Sequence, residues 1–286
     1  MPNNRYKTAA AFRIALEDRL QAMAERERLE LQRLRRKVAF NRFLARVFAV
    51  KGGCWVLKGG YSMELRLAHA RATRDIDLSY RGGTAAGAKP EDLILGLLQN
   101  TASIDMGDYF TFQIGQLQLK LDTPVYGGAR YPVKAMVNEK LFVAFHVDVA
   151  LGDYIPEELE TAEEPDWLSF ADITPAKIKM LPAAVQFAEK LHAYTLPRSV
   201  PNSRVRDLLD MLLLIREGGL TRAKAGAAVK AVFGRRKTHS PPQHLDAPPA
   251  AWEKPFAALA DGCGLKDTLA DTFRTVAAFT AGLNNS

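Results

Sequence analysis

Cysteine is scarce in this sequence, and no long apolar run is present. The 286 residues include two cysteines, Cys54 and Cys263, which lie far apart with no second Cys or His at zinc-ligand spacing. This excludes a disulfide framework and a structural zinc site. No stretch approaches the roughly 20 apolar residues of a membrane helix, and the charged amino terminus lacks the apolar core of a signal peptide. The sequence therefore predicts a cytoplasmic protein with no membrane association.

Positive charge is in excess, and it is concentrated in two places. The formal net charge is +7 at pH 7, with 39 Lys and Arg against 32 Asp and Glu. The basic runs are Arg26, Arg28, Arg33, Arg35, Arg36, Lys37, Arg42 and Arg46, and then Arg235, Arg236 and Lys237. Such patches favour a polyanionic partner. The alternative is a solvated basic face of an amphipathic helix.

The hydrophobic pattern changes twice along the chain. Good helix formers without Pro or Gly extend from Thr8 to about Val50, which predicts one long helix or two shorter ones. Short strand-like runs separated by glycine turns follow, and from Pro182 onward the pattern is helical. The sequence predicts an α+β protein in three parts: a basic helical segment at 1–50, a core at 51–180 and a helical carboxy-terminal domain at 181–286.

The individual elements are predicted from periodicity and from Gly and Pro breakers. In the core these are a strand at Asp75–Tyr80, a helix from Pro90, and strand-like runs at Tyr109–Leu121, Tyr131–Val137 and Leu141–Ala150. In the carboxy-terminal part, helices are predicted at about Ala183–Tyr194, Arg204–Glu217, Thr221–Val232, Ala250–Asp261 and Lys266–Leu283.

Asp75 and Asp77 are the first candidates for chemistry. Residues i and i+2 of a strand point to the same face, so the two carboxylates are expected to stand side by side. Their mutual repulsion is relieved when a divalent cation binds them. Metal-assisted phosphoryl or nucleotidyl transfer uses such a pair to hold Mg²⁺ or Mn²⁺. An isolated Asp-x-Asp also occurs in turns and at helix starts, so the pair needs its context.

That context is the glycine pair before the aspartates. A strand leads through Lys58-Gly59-Gly60 into a helix predicted to start near Tyr61. Bare backbone N–H groups and the positive end of a helix form a cradle for phosphate. A triphosphate could therefore bridge this cradle and a metal ion on the aspartates.

Asp148 supplies a third carboxylate. It interrupts an otherwise apolar strand pattern, and a buried lone Asp is costly, so it is expected to have a partner. Asp148 either completes the metal site or takes the proton of an attacking hydroxyl. The alternative is an Asp near a turn, satisfied by hydrogen bonds close to Gly152 and Asp153.

The ordered set of motifs resembles one known family. It comprises Leu57-Lys58-Gly59-Gly60, Leu65-Arg66-Leu67, Arg71-Ala72-Thr73-Arg74-Asp75-Ile76-Asp77-Leu78, Ala188-Glu189-Lys190-Leu191-His192-Ala193 and Arg204-Val205-Arg206-Asp207-Leu208-Leu209-Asp210. The set, spread over roughly 55–215, resembles the AbiEii/AbiGii (MenT-like) nucleotidyltransferase toxins of the DNA polymerase β-type superfamily. The resemblance implies a nucleotidyltransferase core, with a mixed sheet and flanking helices, plus a helical carboxy-terminal domain.

The resemblance also implies roles for individual residues. Lys58, Gly59, Gly60, Ser62 and Arg206 would bind the nucleotide, while Asp75 and Asp77 would hold the metal. Lys190 would contact the triphosphate and Asp207 would complete the active centre. Two departures stand out: many superfamily members have Gly-Ser where this chain has Gly59-Gly60, and the family often has Lys at the position of Arg206.

The family further implies an acceptor and a regulator. Several such toxins add nucleotides, often cytidylates, to the 3′ end of tRNA and so block translation. The basic runs would suit a tRNA backbone. Members are usually encoded beside an antitoxin, and in some the antitoxin phosphorylates a hydroxyl two residues before the first metal-binding Asp, the position of Thr73 here.

Two rival hypotheses stay open at this point. The same chemistry could act on a protein hydroxyl or on a small molecule. Alternatively, the chain could be a non-enzymatic, basic nucleic-acid-binding protein in which Asp75 and Asp77 only stabilise structure.

Overall fold

The computed structural model describes residues 5–50, 52–83, 89–121, 127–163 and 165–283. The α-helices are α1 (Ala9–Glu27), α2 (Leu31–Ala49), α3 (Gly59–Arg66), α4 (Pro90–Ala102), α5 (Ala183–Thr195), α6 (Val205–Glu217), α7 (Arg222–Arg236), α8 (Glu253–Gly262) and α9 (Leu269–Ala281). The strands are β1 (Trp55–Lys58), β2 (Asp75–Tyr80), β3 (Phe110–Ile114), β4 (Leu119–Leu121), β5 (Gly128–Val137), β6 (Lys140–Leu151), β7 (Glu160–Glu163) and β8 (Lys177–Met180). Single 3₁₀ turns lie at Ser169–Ala171 and Ala250–Trp252.

The predicted amino-terminal helical stretch is two helices. Arg28 has a left-handed backbone (φ 55°) and its N–H donates to the Ala24 carbonyl, which ends α1. Within α1 the side chains of Phe12, Leu16 and Leu20 recur every four residues and are buried. The helix therefore presents one apolar face to the core, as the spacing requires.

The strands form one mixed sheet. Its order is β3-β5-β6-β2-β1-β8-β7, and β4 pairs with β5 beside that path. Pairs β2/β6 and β1/β8 are parallel, whereas β3/β5, β4/β5 and β5/β6 are antiparallel. The prediction of an α+β fold with a mixed sheet and flanking helices is confirmed.

The longest hairpin joins β5 and β6. Asn138 and Glu139 both have positive φ (51° and 57°), as a two-residue turn of the favoured hairpin type requires. Along β5 the alternate residues Ala129, Tyr131 and Val133 are buried. Because successive side chains point to opposite faces, Arg130 lies on the other face of the sheet.

Two short strands were not predicted from the sequence. They are β7 and β8, each four residues long. In β8 buried Ile178 and Met180 alternate with two exposed lysines, but a run this short carries little periodic signal. The helices after Pro182 follow the predicted order, with bounds that differ by a few residues.

The chain divides into two compact units. Unit 1 comprises 1–57, 74–152 and 161–180, and unit 2 comprises 58–73, 153–160 and 181–286. Unit 1 contains most of the sheet, with α1, α2 and α4. Unit 2 contains α3 and the helices from α5 onward. The proposed three-part division at 1–50, 51–180 and 181–286 stays a prediction. In the part of the chain that the structure describes, no helix combines the length and apolar character needed to span a membrane.

Candidate active site

The carboxylates predicted to act together lie on one face of unit 1. Asp75 and Asp77 of β2 are partly exposed, while Ile76 and Leu78 between and after them are fully buried on the opposite face. Parallel pairing sets Asp77 opposite Asp148 of β6. Alternation thus brings all three carboxylates to the same side of neighbouring strands.

His146 is a further titratable side chain on this face. It pairs in register with Asp75, and its ring Nδ1 lies 3.2 Å from Asp75 Oδ1. His146 lies two residues before Asp148 in the sequence, so the two side chains could be predicted to share a strand face. The contact of His146 with Asp75 could not, because it depends on the register of the two strands.

Arg130 is the cation of this cluster that the sequence interpretation missed. Its Nε and Nη2 each donate at 2.7 Å to a different oxygen of Asp148, and Nη2 lies 3.6 Å from Asp75 Oδ2. The hydrogen bonds to Asp148 raise the pKa of Arg130 above its ordinary value, with further support from the charges of Asp75 and Asp77. Asp148 was expected to have a partner, and Arg130 is that partner.

The residues present fit a divalent cation with two protein carboxylates. Among the described residues, no three His, Cys, Asp or Glu side chains form a complete metal-binding group. Mg²⁺ commonly takes only one or two carboxylates and fills its remaining positions with water and substrate phosphates. Asp75 and Asp77 suit this role because they share a face and are accessible to solvent. Asp148 has both oxygens bonded to Arg130.

The glycine pair lies at the start of α3 in unit 2. Gly59 has φ 65°, a conformation that glycine adopts without strain, and it is the first residue of the helix. Lys58 precedes the helix and makes no side-chain capping bond to it. A Cβ on Gly60 would lie 2.8 Å from Thr73 Oγ1, so the two segments approach closely here.

Ser62 and Lys58 are engaged within the protein. Ser62 is fully buried, its hydroxyl donates to the Gly59 carbonyl at 2.9 Å, and it accepts from the Gln186 amide at 2.6 Å. The Lys58 ammonium donates to Asp153 and lies 4.0 Å from Glu189. Ser62 therefore fixes the first turn of α3, and Lys58 belongs to a buried charge network.

Lys190 and Asp207 are brought together by α5 and α6. The Lys190 ammonium donates to Asp210 at 2.6 Å and to Asp207 at 3.3 Å. Arg71 donates to both oxygens of Asp210, at 3.1 and 3.2 Å. The side chain of Asp210 is 1% exposed and that of Asp207 is 15% exposed. Asp207 is thus the more accessible of the two acids.

The ionised forms of Lys190 and Asp210 stabilise each other. Burial opposes the ionised form of Lys190, but Asp210 and Asp207 outweigh it and raise its pKa. Burial likewise opposes ionised Asp210, whose pKa is nevertheless lowered by Lys190 and Arg71. Lys190 and Asp210 are therefore both charged at neutral pH. Arg206 is exposed on α6, next to Asp207 in sequence.

Asp210 and Arg71 are the residues of this group that sequence reasoning did not single out. A signal was present, because Asp210 lies three residues after Asp207 and so shares its side of a helix. The roles of the predicted site residues in catalysis stay predictions. The geometry gathers Asp75, Asp77 and Asp148 in unit 1, and Lys190 with Asp207 in unit 2.

The fold is similar to that of a solved nucleotidyltransferase toxin. MenT4, a nucleotidyltransferase toxin from Mycobacterium tuberculosis H37Rv, is 17% identical with a TM-score of 0.51, and the match covers 95% of this chain and 98% of that chain. JHP933 from Helicobacter pylori is 12% identical over 90% of this chain and 94% of its own, with a TM-score of 0.49. A further Helicobacter pylori protein is 13% identical over 90% and 96%, with a TM-score of 0.50. At these identities the likeness concerns the fold alone.

The sequence itself matches one family. No curated protein matches the chain in sequence. The model of the nucleotidyl transferase AbiEii toxins of type IV toxin–antitoxin systems matches residues 42–279, which is most of the chain. The resemblance noted from the motifs is thereby confirmed. The chain belongs to the AbiEii nucleotidyltransferase toxin family.

Proposed function

We propose that this protein transfers a nucleoside monophosphate, with cytidylate as the expected nucleotide, from an NTP to the 3′ acceptor end of tRNA and so blocks translation. Mg²⁺ or Mn²⁺ is the proposed cofactor. One observation carries the proposal: in a member of a nucleotidyltransferase family, Asp75 and Asp77 share a partly exposed sheet face with Asp148 in register. Paired carboxylates of this kind are suited to a divalent cation and a triphosphate.

The proposed reaction replaces a phosphoanhydride bond of the NTP with a phosphodiester bond to the acceptor. The acceptor hydroxyl oxygen bonds to the α-phosphorus, the bond from that phosphorus to the bridging oxygen breaks, and pyrophosphate leaves. A cation held by Asp75 and Asp77 would supply electrostatic stabilisation of the charge on the phosphates. The part of Asp148, as ligand or as base, depends on its release from Arg130.

Side chains of unit 2 would bind the triphosphate. Lys190 is charged and held in position by Asp210, so its ammonium is a pre-positioned point charge for phosphate oxygens. Asp207 would fix the second side of Lys190, and exposed Arg206 would add positive charge beside it. The backbone of Gly59 and Gly60 would approach the phosphates at the helix start.

Ser62 and Lys58 receive supporting roles in this proposal. Because Ser62 is fully buried and its hydroxyl is bonded to Gly59 and Gln186, it would hold the glycine turn rather than touch the nucleotide. Lys58 would likewise act through its network with Asp153 and Glu189.

The basic surface for an RNA backbone is smaller than the sequence suggested. Arg42 and Arg46 are buried, and both bond to Asp108. Arg35 pairs with Glu17. By contrast, α7 and the residue after it present exposed basic side chains: Arg222, Lys224, Lys230, Arg235 and Lys237. We therefore assign the main contact with the tRNA backbone to α7.

Incubation of the purified protein with Mg²⁺, total tRNA and each labelled NTP in turn tests the proposal. We expect label at the 3′ end of tRNA with one preferred NTP, identified by sequencing the labelled RNA. Label in a protein or in a small molecule would assign a different acceptor. An absence of label from all fractions would contradict the proposed transfer, provided that circular dichroism confirms a folded sample.

Regulation by a cognate antitoxin is proposed to act at Thr73. Its hydroxyl lies close to Gly60, and its backbone N–H donates to Glu64 at 2.6 Å. A phosphate here would add about −1.5 to −2 charges two residues before Asp75 and would oppose triphosphate binding. Co-expression with the neighbouring gene should add one phosphate in intact mass, which Thr73→Ala should abolish. An unmodified wild-type protein would contradict this proposal.

A further inference from the structure

Arg130 is placed in the carboxylate cluster by the register of the sheet. It lies opposite Asp148 on antiparallel β5 and β6, and Asp148 lies opposite Asp77 on parallel β6 and β2. The buried neighbours Ala129 and Tyr131 occupy the other face. The three strands therefore align one cation with two acids in a single row.

The Arg130 guanidinium forms an ion pair with Asp148 through two hydrogen bonds. Its planar fork meets both oxygens of Asp148 at 2.7 Å, the bidentate arrangement that fixes a carboxylate most firmly. The same Nη2 lies 3.6 Å from Asp75 Oδ2, so one guanidinium spans two of the three acids. The Arg130 side chain is 30% exposed, which leaves room for it to swing toward solvent.

A divalent ion at Asp75 and Asp77 would meet this guanidinium at close range. Two cations that share one carboxylate repel each other, and the repulsion weakens little where solvent is partly excluded. A metal ion also needs carboxylate oxygens as direct ligands, and Arg130 already bonds both oxygens of Asp148. The Asp75 carboxylate would therefore be shared between Arg130 and the metal, and each cation would weaken the other's hold on it.

We infer that Arg130 is a built-in counter-cation that competes with the divalent metal for the carboxylates of Asp75 and Asp148. This inference rests on the proposed function, because it takes Asp75 and Asp77 as metal ligands. In the metal-free protein Arg130 balances the cluster and holds Asp148 in place. Arg130 would turn away from Asp75 when a metal binds, and this would release Asp148 for its part in the reaction. Arg130 is thus a positioning residue that sets the metal affinity.

Measurement of Mn²⁺ affinity tests this inference without relying on activity. Free Mn²⁺ is followed by its electron paramagnetic resonance signal during titration of the full-length protein. Arg130→Gln removes the competing charge, and we expect it to bind Mn²⁺ about tenfold more tightly than wild type. Arg130→Lys keeps the charge but loses the fork, so its affinity should lie between those two. The metal-free Arg130→Gln protein should melt at a lower temperature and gain more from added Mn²⁺.

Lys134→Gln is the matched control. Lys134 is exposed on β5 four residues from Arg130 and so on the same face, and its replacement changes the net charge equally. We expect its Mn²⁺ affinity to stay within about twofold of wild type, since an exposed charge is well screened. Equal tightening in Lys134→Gln and Arg130→Gln would reduce the effect to net charge and overturn the inference.

Asp77→Asn separates failure of the inference from failure of the proposed function. If Asp77→Asn loses Mn²⁺ binding while Arg130→Gln binds no more tightly than wild type, competition is refuted and the metal site stands. If Asp77→Asn binds Mn²⁺ as wild type does, both the proposed metal site and the competition are refuted. If Arg130→Gln does not fold, Arg130→Lys decides, and an affinity equal to or weaker than wild type refutes the inference.

Discussion

Lys190 and Asp210 form a buried ion pair, with Nζ 2.6 Å from Oδ2. Asp210 also accepts two hydrogen bonds from Arg71, so one carboxylate balances two cations. Its side chain is 1% exposed and does not reach solvent. We therefore interpret Asp210 as the residue that holds Lys190 in position, with Asp207 as the more exposed second partner.

Asp210→Asn should be strongly destabilising. The substitution leaves buried Lys190 and partly buried Arg71 without their shared anion. We expect the free energy of unfolding to fall by about 3 kcal/mol, as when one partner of a buried pair is removed. Urea unfolding followed by circular dichroism measures the change.

Asp267→Asn serves as the comparison. Asp267 pairs with Arg216 in the same unit, but the Arg216 side chain is 41% exposed. Its loss should cost less than about 1 kcal/mol. Equal effects of the two substitutions would refute the structural role given to Asp210.

Gly60→Ala should disturb the glycine turn. The new Cβ would lie 2.8 Å from Thr73 Oγ1 and 3.0 Å from Thr73 Cβ, so a neighbouring segment must move. We expect a loss of about 1–3 kcal/mol, typical of overpacking. Thermal unfolding measures it.

Gly96→Ala is the control for that substitution. Gly96 lies inside α4, and a Cβ there would meet nothing within 4 Å. Alanine is the better helix former, so stability should rise by about 0.5–1 kcal/mol. A Gly60→Ala protein as stable as wild type would contradict the close approach to Thr73.

Asp108 should give the protein part of its acid sensitivity. Burial alone would raise its pKa, but hydrogen bonds and charge from Arg46, with Arg42, hold the pKa below its ordinary value of 3.8. Because the pKa of Asp108 is lower in the folded than in the unfolded protein, its ionised form stabilises the fold. This stabilisation is complete at pH values above the unfolded-state pKa and is lost as the pH falls toward the folded-state pKa. Asp108→Asn should therefore be much less stable than wild type at pH 7, and the difference should narrow below about pH 4.

Urea midpoints of both proteins between pH 7 and pH 3 check this prediction. A wild-type advantage that is independent of pH would mean that the ionisation of Asp108 does not matter. An advantage that grows as the pH falls would reverse the expected sign.

Much of the fold was predictable because it depends on local patterns. In strand β2 buried Ile76 lies between Asp75 and Asp77. This alternation is enough to predict that the two aspartates share one face of the strand. Pro90 marked the start of α4. The family resemblance, now confirmed, joined these elements into one known core.

The parts that could not be predicted depend on contacts between distant segments. Nothing local to Arg130 indicates that it faces Asp148, because that pairing depends on the register of β5 and β6. The same holds for Arg71 and Asp210, which are 139 residues apart. Arg42 and Arg46 were interpreted as surface charge, yet both are buried in the core and form ion pairs with Asp108.

The dependence of nucleotide transfer on Asp77 distinguishes a metal-dependent transferase from a protein that only binds RNA. Initial rates of label transfer to tRNA are measured for wild type and Asp77→Asn across a Mg²⁺ titration, with circular dichroism to compare folding. We predict that wild-type transfer vanishes in EDTA, and that folded Asp77→Asn is at least about 100-fold slower at every Mg²⁺ concentration. Transfer by Asp77→Asn at the wild-type rate, or wild-type transfer undiminished in EDTA, would contradict this prediction.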